Sequence, residues 1–463
     1  MSDFDVIAIG GGTAGMTAAK LCREAGARVC LVDRARLGGD CLYTGCVPSK
    51  TLIASARLFH DVKRAASFGV EVSDARLNFG AVQARARAVI DEIGQTESPR
   101  VFEDLGIRVR FGEARFVSAH ELQVGAETLT ADKFVIATGS HPAIPPVTGL
   151  REAEPLTNET VFELERLPES LAIVGGGPIG CELAQTFARF GSRVTVVHSR
   201  PQLLPREDPE LAVALSKTLE REGIELLLDA KLFEVRRTER GVHLSVNIPQ
   251  GLREVQAEQL LVAAGRQPNV DGLDPGRAGV EVDNTGVKTD ACLRTTAANI
   301  WACGDVTSKH QFTHVAYEQA SVVARNIRSK KTTWNDRVVP WTTFTDPELA
   351  RVGLTEHEAR EKYGDKLQIL RLPFSKIDRA LCENDPEGLI KILIAPGWMR
   401  GKFGGEIVGA HILGRAAGEL LPEILVAMRS RLPAGLVAWP MHVYPTLGTG
   451  VRQTLGQLFR AAG

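Results

Sequence analysis

Asp5–Asp33, DVIAIGGGTAGMTAAKLCREAGARVCLVD, recurs in design as Ser170–His198, SLAIVGGGPIGCELAQTFARFGSRVTVVH, offset by 165 positions from Gly10 to Gly175. Each reads as strand, G-x-G-x-x-G, helix, strand, with glycines at Gly10, Gly12 and Gly15 and at Gly175, Gly177 and Gly180. The first two glycines let the backbone approach a pyrophosphate at a helix N-terminus, and the third lets helix and strand pack closely. One such motif is weak; two copies, each inside a complete βαβ pattern, predict two Rossmann-like units with a dinucleotide site in each.

The residue ending the second strand of such a unit reads the adenosine ribose. In the first copy it is Asp33, a carboxylate able to accept from ribose hydroxyls. In the second the equivalent position is His198, followed by Arg200 and, further on, Arg206. Losing the acid removes a repulsion, and arginine supplies a charge-assisted partner, so the second site is expected to prefer NADPH, with NADH possible.

The chain has 463 residues, enough for two to four domains. Hydrophobic residues make up 44%, charged residues 24%, and the net charge is −1. Nothing in that balance draws the protein to nucleic acid or an anionic membrane. No secretory signal and no apolar run near the ~20 residues of a membrane span is visible. The eight cysteines are mostly scattered in apolar surroundings, which fits a reducing cytoplasm and small buried hydrophobes.

One pair stands apart. In GGDCLYTGCVPSK, Gly38–Lys50, Cys41 and Cys46 lie in a glycine-rich run. Five steps along a regular helix rise about 7.5 Å, beyond the ~4.4–6.8 Å that disulfide Cα atoms tolerate. The pair therefore requires an irregular turn, with Gly39 and Gly45 supplying freedom and Pro48 suiting the first turn of the helix that follows. A cysteine at that N-terminus feels the helix dipole, which favours thiolate. A redox couple, a zinc half-site and two unrelated thiols all remain open on these residues. A zinc site needs a second Cys/His pair, and none follows at suitable spacing.

Beyond the repeat, KFVIATGSHPAIPPVTG is a buried strand leaving through prolines near residue 148, and LLVAAGRQPNV ends the second unit in the same way. A hairpin-like stretch and a strand then lead to Asp305 and the helix HVAYEQASVVARNI. From about residue 338 the pattern turns to alternating strands and one strong helix, AGELLPEILVAMRSR, which predicts a third, α+β domain. The division is 1–148 and 271–337 for the first domain in two parts, 149–270 for the second, and 338–463 for the third.

Together these residues resemble the pyridine nucleotide-disulfide oxidoreductases, the family of dihydrolipoamide dehydrogenase, glutathione reductase and mercuric reductase. The resemblance runs nearly end to end: the first glycine motif with Asp33, Cys41 to Lys50, ATG at Ala137–Gly139, and the second motif with Glu182. It continues through AAGRQPN at Ala263–Asn269, ACGD at Ala302–Asp305, FTDPELARVGLTE at Phe344–Glu356 and GAHILGRAAGELL at Gly409–Leu421. It implies an α/β fold of FAD-binding and NAD(P)-binding domains with an α+β dimerisation domain, assembled as a homodimer. FAD would lie on Gly10, Gly12 and Gly15 with Asp33, Gly39, Thr138, Gly139 and Asp305. The nicotinamide nucleotide would lie on Gly175, Gly177 and Gly180 with His198, Arg200, Gly265 and Arg266. The resemblance makes Cys41–Cys46 a redox disulfide, Cys46 facing the flavin and Cys41 attacking a small-molecule disulfide or related acceptor. Lys50 and Glu182 would pair near the flavin, where a cation stabilises reduced flavin. No metal site is expected.

The chain departs from its family at MHVYPTLGTG. Disulfide reductases place His-Pro-Thr-x-x-Glu here, the His serving as acid/base. Tyr444 stands at the His position and Thr449 at the Glu. A phenol with pKa near 10 is a poor proton shuttle, so efficient turnover of dihydrolipoamide or glutathione disulfide is not expected unless His442 substitutes. Mercuric reductase also carries Tyr here, because a soft metal needs thiolates rather than a proton donor; but it ends in a cysteine pair, and this chain has no cysteine after Cys382. Asp40, where Thr is usual, and Tyr43, where Asn is common, also differ beside the redox pair. A metal ion or quinone acceptor is the alternative, and a redox-sensing or structural flavoprotein a third reading.

Overall fold

The computed structural model describes residues 2–307, 310–397 and 404–460. The first glycine motif joins the strand Phe4–Ile9 to the helix Thr13–Glu24, which returns as the strand Val29–Asp33. The two strands pair in parallel, Val6 opposite Val29. Arg108–Phe111 extends the sheet on one side, and Glu127–Ile136 and Ile300–Ala302 on the other, all parallel. Val6, Ala8, Val29, Leu31 and Val135 are buried beneath the helix Thr13–Glu24 and the later helix Thr313–Ile327. Ile7, Ile9, Cys30, Val32 and Phe134 fill the opposite face. Strands covered on both faces read as unbroken apolar runs, as VIAI and VCLV do.

The second motif repeats the unit as Ser170–Val174, Pro178–Phe190 and Arg193–Val197. Its parallel sheet runs Glu225–Leu227, Arg193–Val197, Ser170–Val174, Gln259–Val262. A three-stranded antiparallel sheet of Lys231–Thr238, Gly241–Ile248 and Gly251–Ala257 packs beside it. In both units the third glycine is a packing residue: a Cβ on Gly15 or Gly180 would land on the carbonyl of Gly10 or Gly175.

From Pro340 onward the chain builds a five-stranded antiparallel sheet, ordered Pro340–Thr343, Glu348–Gly353, Glu406–Gly414, Leu389–Ala395, Gln368–Pro373. Pro422–Ser430 and Gly448–Arg460 close its core, with Ile424, Met428, Val451 and Leu455 buried against Ile392 and Ile412. The expected single helix AGELLPEILVAMRSR is divided: a short 3-10 turn at Ala417–Leu420 ends before Pro422, which opens the helix proper. Proline has no N–H to donate and its ring clashes inside a helix, so it starts the second piece.

The third sheet is tied to the second unit by buried charge. Lys391, 2% exposed, lies 2.8 Å from Asp208, 2.9 Å from Glu210 and 2.6 Å from Glu356. Arg189 likewise bridges Glu222 and Asp346 at 2.7 and 2.8 Å. Removing one member of such a buried set costs about 3–5 kcal/mol, so the two units are held in register. Among the described residues no helix is long and apolar enough to cross a membrane.

Candidate active site

The two glycine motifs are built alike down to the residue at or just past the end of the second strand. Gly11 N–H donates to Asp33 Oδ2 at 2.7 Å, and Ala35 and Arg36 N–H donate to Oδ1 at 2.9 and 3.1 Å. In the second copy Gly176 N–H donates to His198 Nδ1 at 3.1 Å. Burial, with Arg200 nearby, lowers the His198 pKa, so the ring accepts this bond as a neutral imidazole. Asp33 thus presents negative charge where His198 presents none.

The cysteines straddle a break between two helices. Cys41 sits in the short helix Gly39–Tyr43, and Cys46 opens Cys46–Lys63, with Pro48 in its first turn as expected. At the break a Cβ on Gly45 would lie 2.8 Å from the Asp40 carbonyl, and Asn158 Nδ2 holds the Thr44 carbonyl at 3.1 Å. Cys46 therefore takes the first position of an 18-residue helix, where the dipole favours anions. Both residues are thiols here. A hydrogen bond from Cys41 lowers the Cys46 pKa to about 6, assisted by Thr313 and Lys50, while the same bond pushes Cys41 up. Thr313 Oγ1 lies 3.6 Å from Cys46 Sγ. The proton therefore rests on Cys41 and the charge on Cys46.

One turn further, Lys50 Nζ meets Glu182 Oε2 at 2.8 Å. Phe344 N–H donates to Glu182 Oε1 at 2.9 Å, and the Lys50 ammonium sits 4.5 Å from the Phe344 ring centre. Three segments distant in sequence thus fix one cation beside the thiolate. Across the cleft Arg266 donates to Ser140 Oγ and to the Ser140 carbonyl, both at 2.7 Å, and pairs with Asp40. Ser140 Oγ donates to Asp305 Oδ2 at 2.7 Å, and burial raises the Asp305 pKa. Asn269 joins this wall to Ala137–Gly139: its N–H reaches the Gly139 carbonyl at 2.9 Å, and Thr138 Oγ1 donates to its carbonyl at 2.6 Å. Asp40 is thus charge-matched by Arg266, and Tyr43 lies under the Arg36 guanidinium at 3.6 Å.

These residues line one continuous cleft of about 2000 Å³, larger than the 300–1,000 Å³ that serves a drug-sized ligand. Gly10, Gly12, Asp33, Gly39, Cys41, Cys46, Lys50, Thr138, Gly139, Gly175, Gly177, Glu182, His198, Gly265, Arg266 and Asp305 all face it. Gly15 and Gly180 do not, because they are spent on packing. Arg200 is exposed and outside the lining, whereas Arg206 lines it. A Cβ on Gly177 would stand in open space, and one on Gly12 would have only Gly39 Cα, 3.8 Å away. The motifs thus keep clear room at two helix N-termini, which fits the phosphates of FAD and of a pyridine nucleotide. Among the described residues no cluster of His, Cys, Asp and Glu could hold a metal ion.

Tyr444, His442 and Thr449 lie outside this cleft on their own chain. Tyr444 is exposed and its hydroxyl donates to Asp378 Oδ2 at 2.7 Å, which raises its pKa. His442 Nε2 lies 2.9 Å from Glu423 Oε2, and Thr449 Oγ1 donates to the Thr446 carbonyl at 2.6 Å. The histidine's ring is thus committed to Glu423. Sequence reasoning missed Thr313, Ser140 and Phe344 as site residues; each acts through a contact between distant segments, although Thr313 immediately precedes a predicted helix and Phe344 begins a quoted motif.

A cleft with two dinucleotide cradles and a dithiol between them defines a flavin-coupled thiol oxidoreductase. Residues 4–320 match the family model described as pyridine nucleotide-disulphide oxidoreductase, and residues 339–454 match that family's dimerisation domain. The chain belongs to the class I pyridine nucleotide-disulfide oxidoreductases, FAD-dependent enzymes with a pyridine nucleotide partner. It is 33% identical over 454 residues to a mercuric reductase of Bacillus cereus, covering 97% of this chain and 70% of that one. It is also 33% identical over 455 residues to a dihydrolipoyl dehydrogenase of Bacillus subtilis, covering 96% and 97%. The solved structure of the HOCl-induced flavoprotein disulfide reductase RclA from Escherichia coli is similar at TM-score 0.86 and 30% identity, covering 97% of this chain and 99% of that one. A Cu(II) complex of the same protein is similar at TM-score 0.85 and 30% identity, covering 97% and 98%.

Proposed function

We propose that this protein is an NADPH-preferring dithiol/disulfide oxidoreductase that passes electrons through Cys41 and Cys46 to a small disulfide or related electrophile. The observation that carries the reading is the graded thiol pair, Cys46 lowered to about 6 and Cys41 raised, with Lys50–Glu182 beside it. FAD, when bound, supplies two-electron transfer from the nucleotide to the cysteine disulfide. Gly10, Gly12, Asp33, Gly39, Thr138, Gly139 and Asp305 would hold it; Gly175, Gly177, His198, Gly265 and Arg266 would take the nucleotide, and Arg206, which lines the cleft, would meet a 2′-phosphate.

The chain's own chemistry then follows. Cys41 Sγ gives its proton to solvent and attacks one sulfur of the acceptor disulfide, displacing the other as thiolate. Cys46 thiolate attacks Cys41 Sγ in that mixed disulfide, releasing the second thiolate and re-forming Cys41–Cys46. Two electrons leave the protein and the acceptor gains two thiolates, which take up protons from solvent. The reading keeps the domain division at residues 148, 270 and 337, a homodimer formed through the dimerisation domain, and a cytoplasmic location.

Tyr444 favours a second reading, in which the acceptor is a metal ion or another compound needing no acid/base histidine. The likeness to mercuric reductases and to a disulfide reductase with a Cu(II) complex supports it. Steady-state kcat/KM with NADPH against lipoamide, glutathione disulfide, Hg(II), Cu(II) and a quinone tests both. Disulfide turnover supports the first, turnover of metals or quinone alone supports the second, and turnover of none contradicts both.

A further inference from the structure

The loop after the second ribose-reading strand holds an acid that the chemistry above does not use. Glu207 is 5% exposed, lines the cleft, and stands between Arg206 and Asp208. Trp341 Nε1–H donates to its Oε1 at 2.5 Å, and its other oxygen is buried without a hydrogen-bond partner. Apart from Arg206, the basic groups around it are engaged elsewhere. Asp208 takes Lys391, at 2.8 and 2.9 Å, and Lys391 is shared with Glu210 and Glu356. Arg351 donates to the Arg206 and Gly353 carbonyls and to Glu358, with its guanidinium 4.8 Å from the Trp341 ring centre. His411 is fully buried, pushed down to about 4, and therefore neutral at pH 7. Burial accordingly pushes Glu207 up to about 7, against the pull of Trp341, Arg351 and Arg206. The resulting group changes charge in the physiological range in the cleft wall, one residue along the chain from Arg206, which is exposed and lines the same cleft.

We propose that Glu207 is a specificity-determining residue for the pyridine nucleotide: as a neutral acid it leaves Arg206 to the nucleotide's phosphates, and as a carboxylate it competes for that arginine and repels them. This rests on the nucleotide occupying the second glycine motif. The sign follows from charge alone, since an added anion in a cleft weakens anion binding. A nucleotide with a 2′-phosphate carries more charge and loses more than one without it. Nucleotide affinity therefore falls as pH rises through about 7, and NADP+ falls further than NAD+.

The test is isothermal titration of the FAD-loaded protein with NADP+ and NAD+ from about pH 6 to pH 8.5, in wild type, Glu207→Gln and Trp341→Phe. Glutamine preserves the shape and the bond from Trp341, so the fold is kept. The 2′-phosphate's own ionisation near pH 6 is common to all three proteins and acts in the opposite sense. Wild-type affinity for NADP+ falls about tenfold relative to Glu207→Gln across this range, with a smaller fall for NAD+. Trp341→Phe removes the donor that favours the carboxylate and moves the midpoint upward. An identical pH dependence in wild type and Glu207→Gln overturns the proposal, whichever nucleotide is preferred. If NAD+ binds more tightly at every pH, the NADPH preference fails while the Glu207 midpoint is still read with NAD+.

Discussion

Lys50 Nζ lies 2.8 Å from Glu182 Oε2, joining the helix that begins at Cys46 to the helix that begins at the second glycine motif. One ion pair thus sets the distance between the dithiol and the nucleotide cradle. It also fixes a positive charge beside the thiol pair.

Lys50→Met leaves Glu182, 5% exposed, with only the Phe344 N–H. An unmet buried charge partner costs about 1–3 kcal/mol, so thermal denaturation should show a lowered Tm. The rate of nucleotide-driven reduction, followed by stopped-flow absorbance, should fall at least about tenfold, the equivalent of 1.4 kcal/mol. Unchanged kinetics would remove Lys50 from the electron path.

The thiolate on Cys46 depends on a proton held by Cys41. In the reduced protein, absorbance at the thiolate wavelength should rise as pH increases through about 6. Cys41→Ser keeps a donor and holds that midpoint low; Cys41→Ala removes it and moves the midpoint toward the ordinary thiol value of about 8.5. Because the folded value lies below the unfolded one, this ionisation stabilises the fold fully above the unfolded value, and the contribution is lost as pH falls through about 6. Chemical denaturation of the reduced protein across that window checks the sign; equal midpoints in the Ser and Ala variants would contradict the hydrogen bond's role.

Tyr444→His with Thr449→Glu restores the dyad that family disulfide reductases carry. The double variant should raise kcat/KM for lipoamide or glutathione disulfide by about tenfold or more, the lower end of acid–base catalysis, and leave Hg(II) or Cu(II) turnover unaltered. No gain would show that something other than the missing dyad limits disulfide turnover.

Arg206, not Arg200, lines the nucleotide cleft. A lost charge-assisted bond of about 1.5–3 kcal/mol means Arg206→Ala should lower kcat/KM for NADPH by roughly ten- to a hundredfold, with little change for NADH. Arg200→Ala should leave the ratio unchanged. A wild-type preference for NADH would refute the NADPH assignment.

The glycine motifs were legible because their spacing is local: strand, turn and helix are set within about 30 residues, and both copies fold as the pattern requires. Cys41, Cys46 and the pairing of Lys50 with Glu182 were legible through family resemblance. Thr313, Ser140 and Phe344 were not, since each acts across more than a hundred positions through a contact that no spacing encodes. The helix after the cysteines was legible because a proline suits a first turn, and Pro48 lies in one. The division of AGELLPEILVAMRSR was overlooked because a long apolar period hid the break that Pro422 imposes. Arg200 and Arg206 looked alike in sequence, and only the path of the loop separates them.

Anaerobic titration of the freshly purified, FAD-loaded protein with NADPH decides whether electrons pass through the cysteine pair. The account predicts a long-wavelength thiolate-to-flavin charge-transfer band on uptake of two electrons, lost in Cys46→Ser. Two-electron reduction that bleaches the flavin without that band would contradict it.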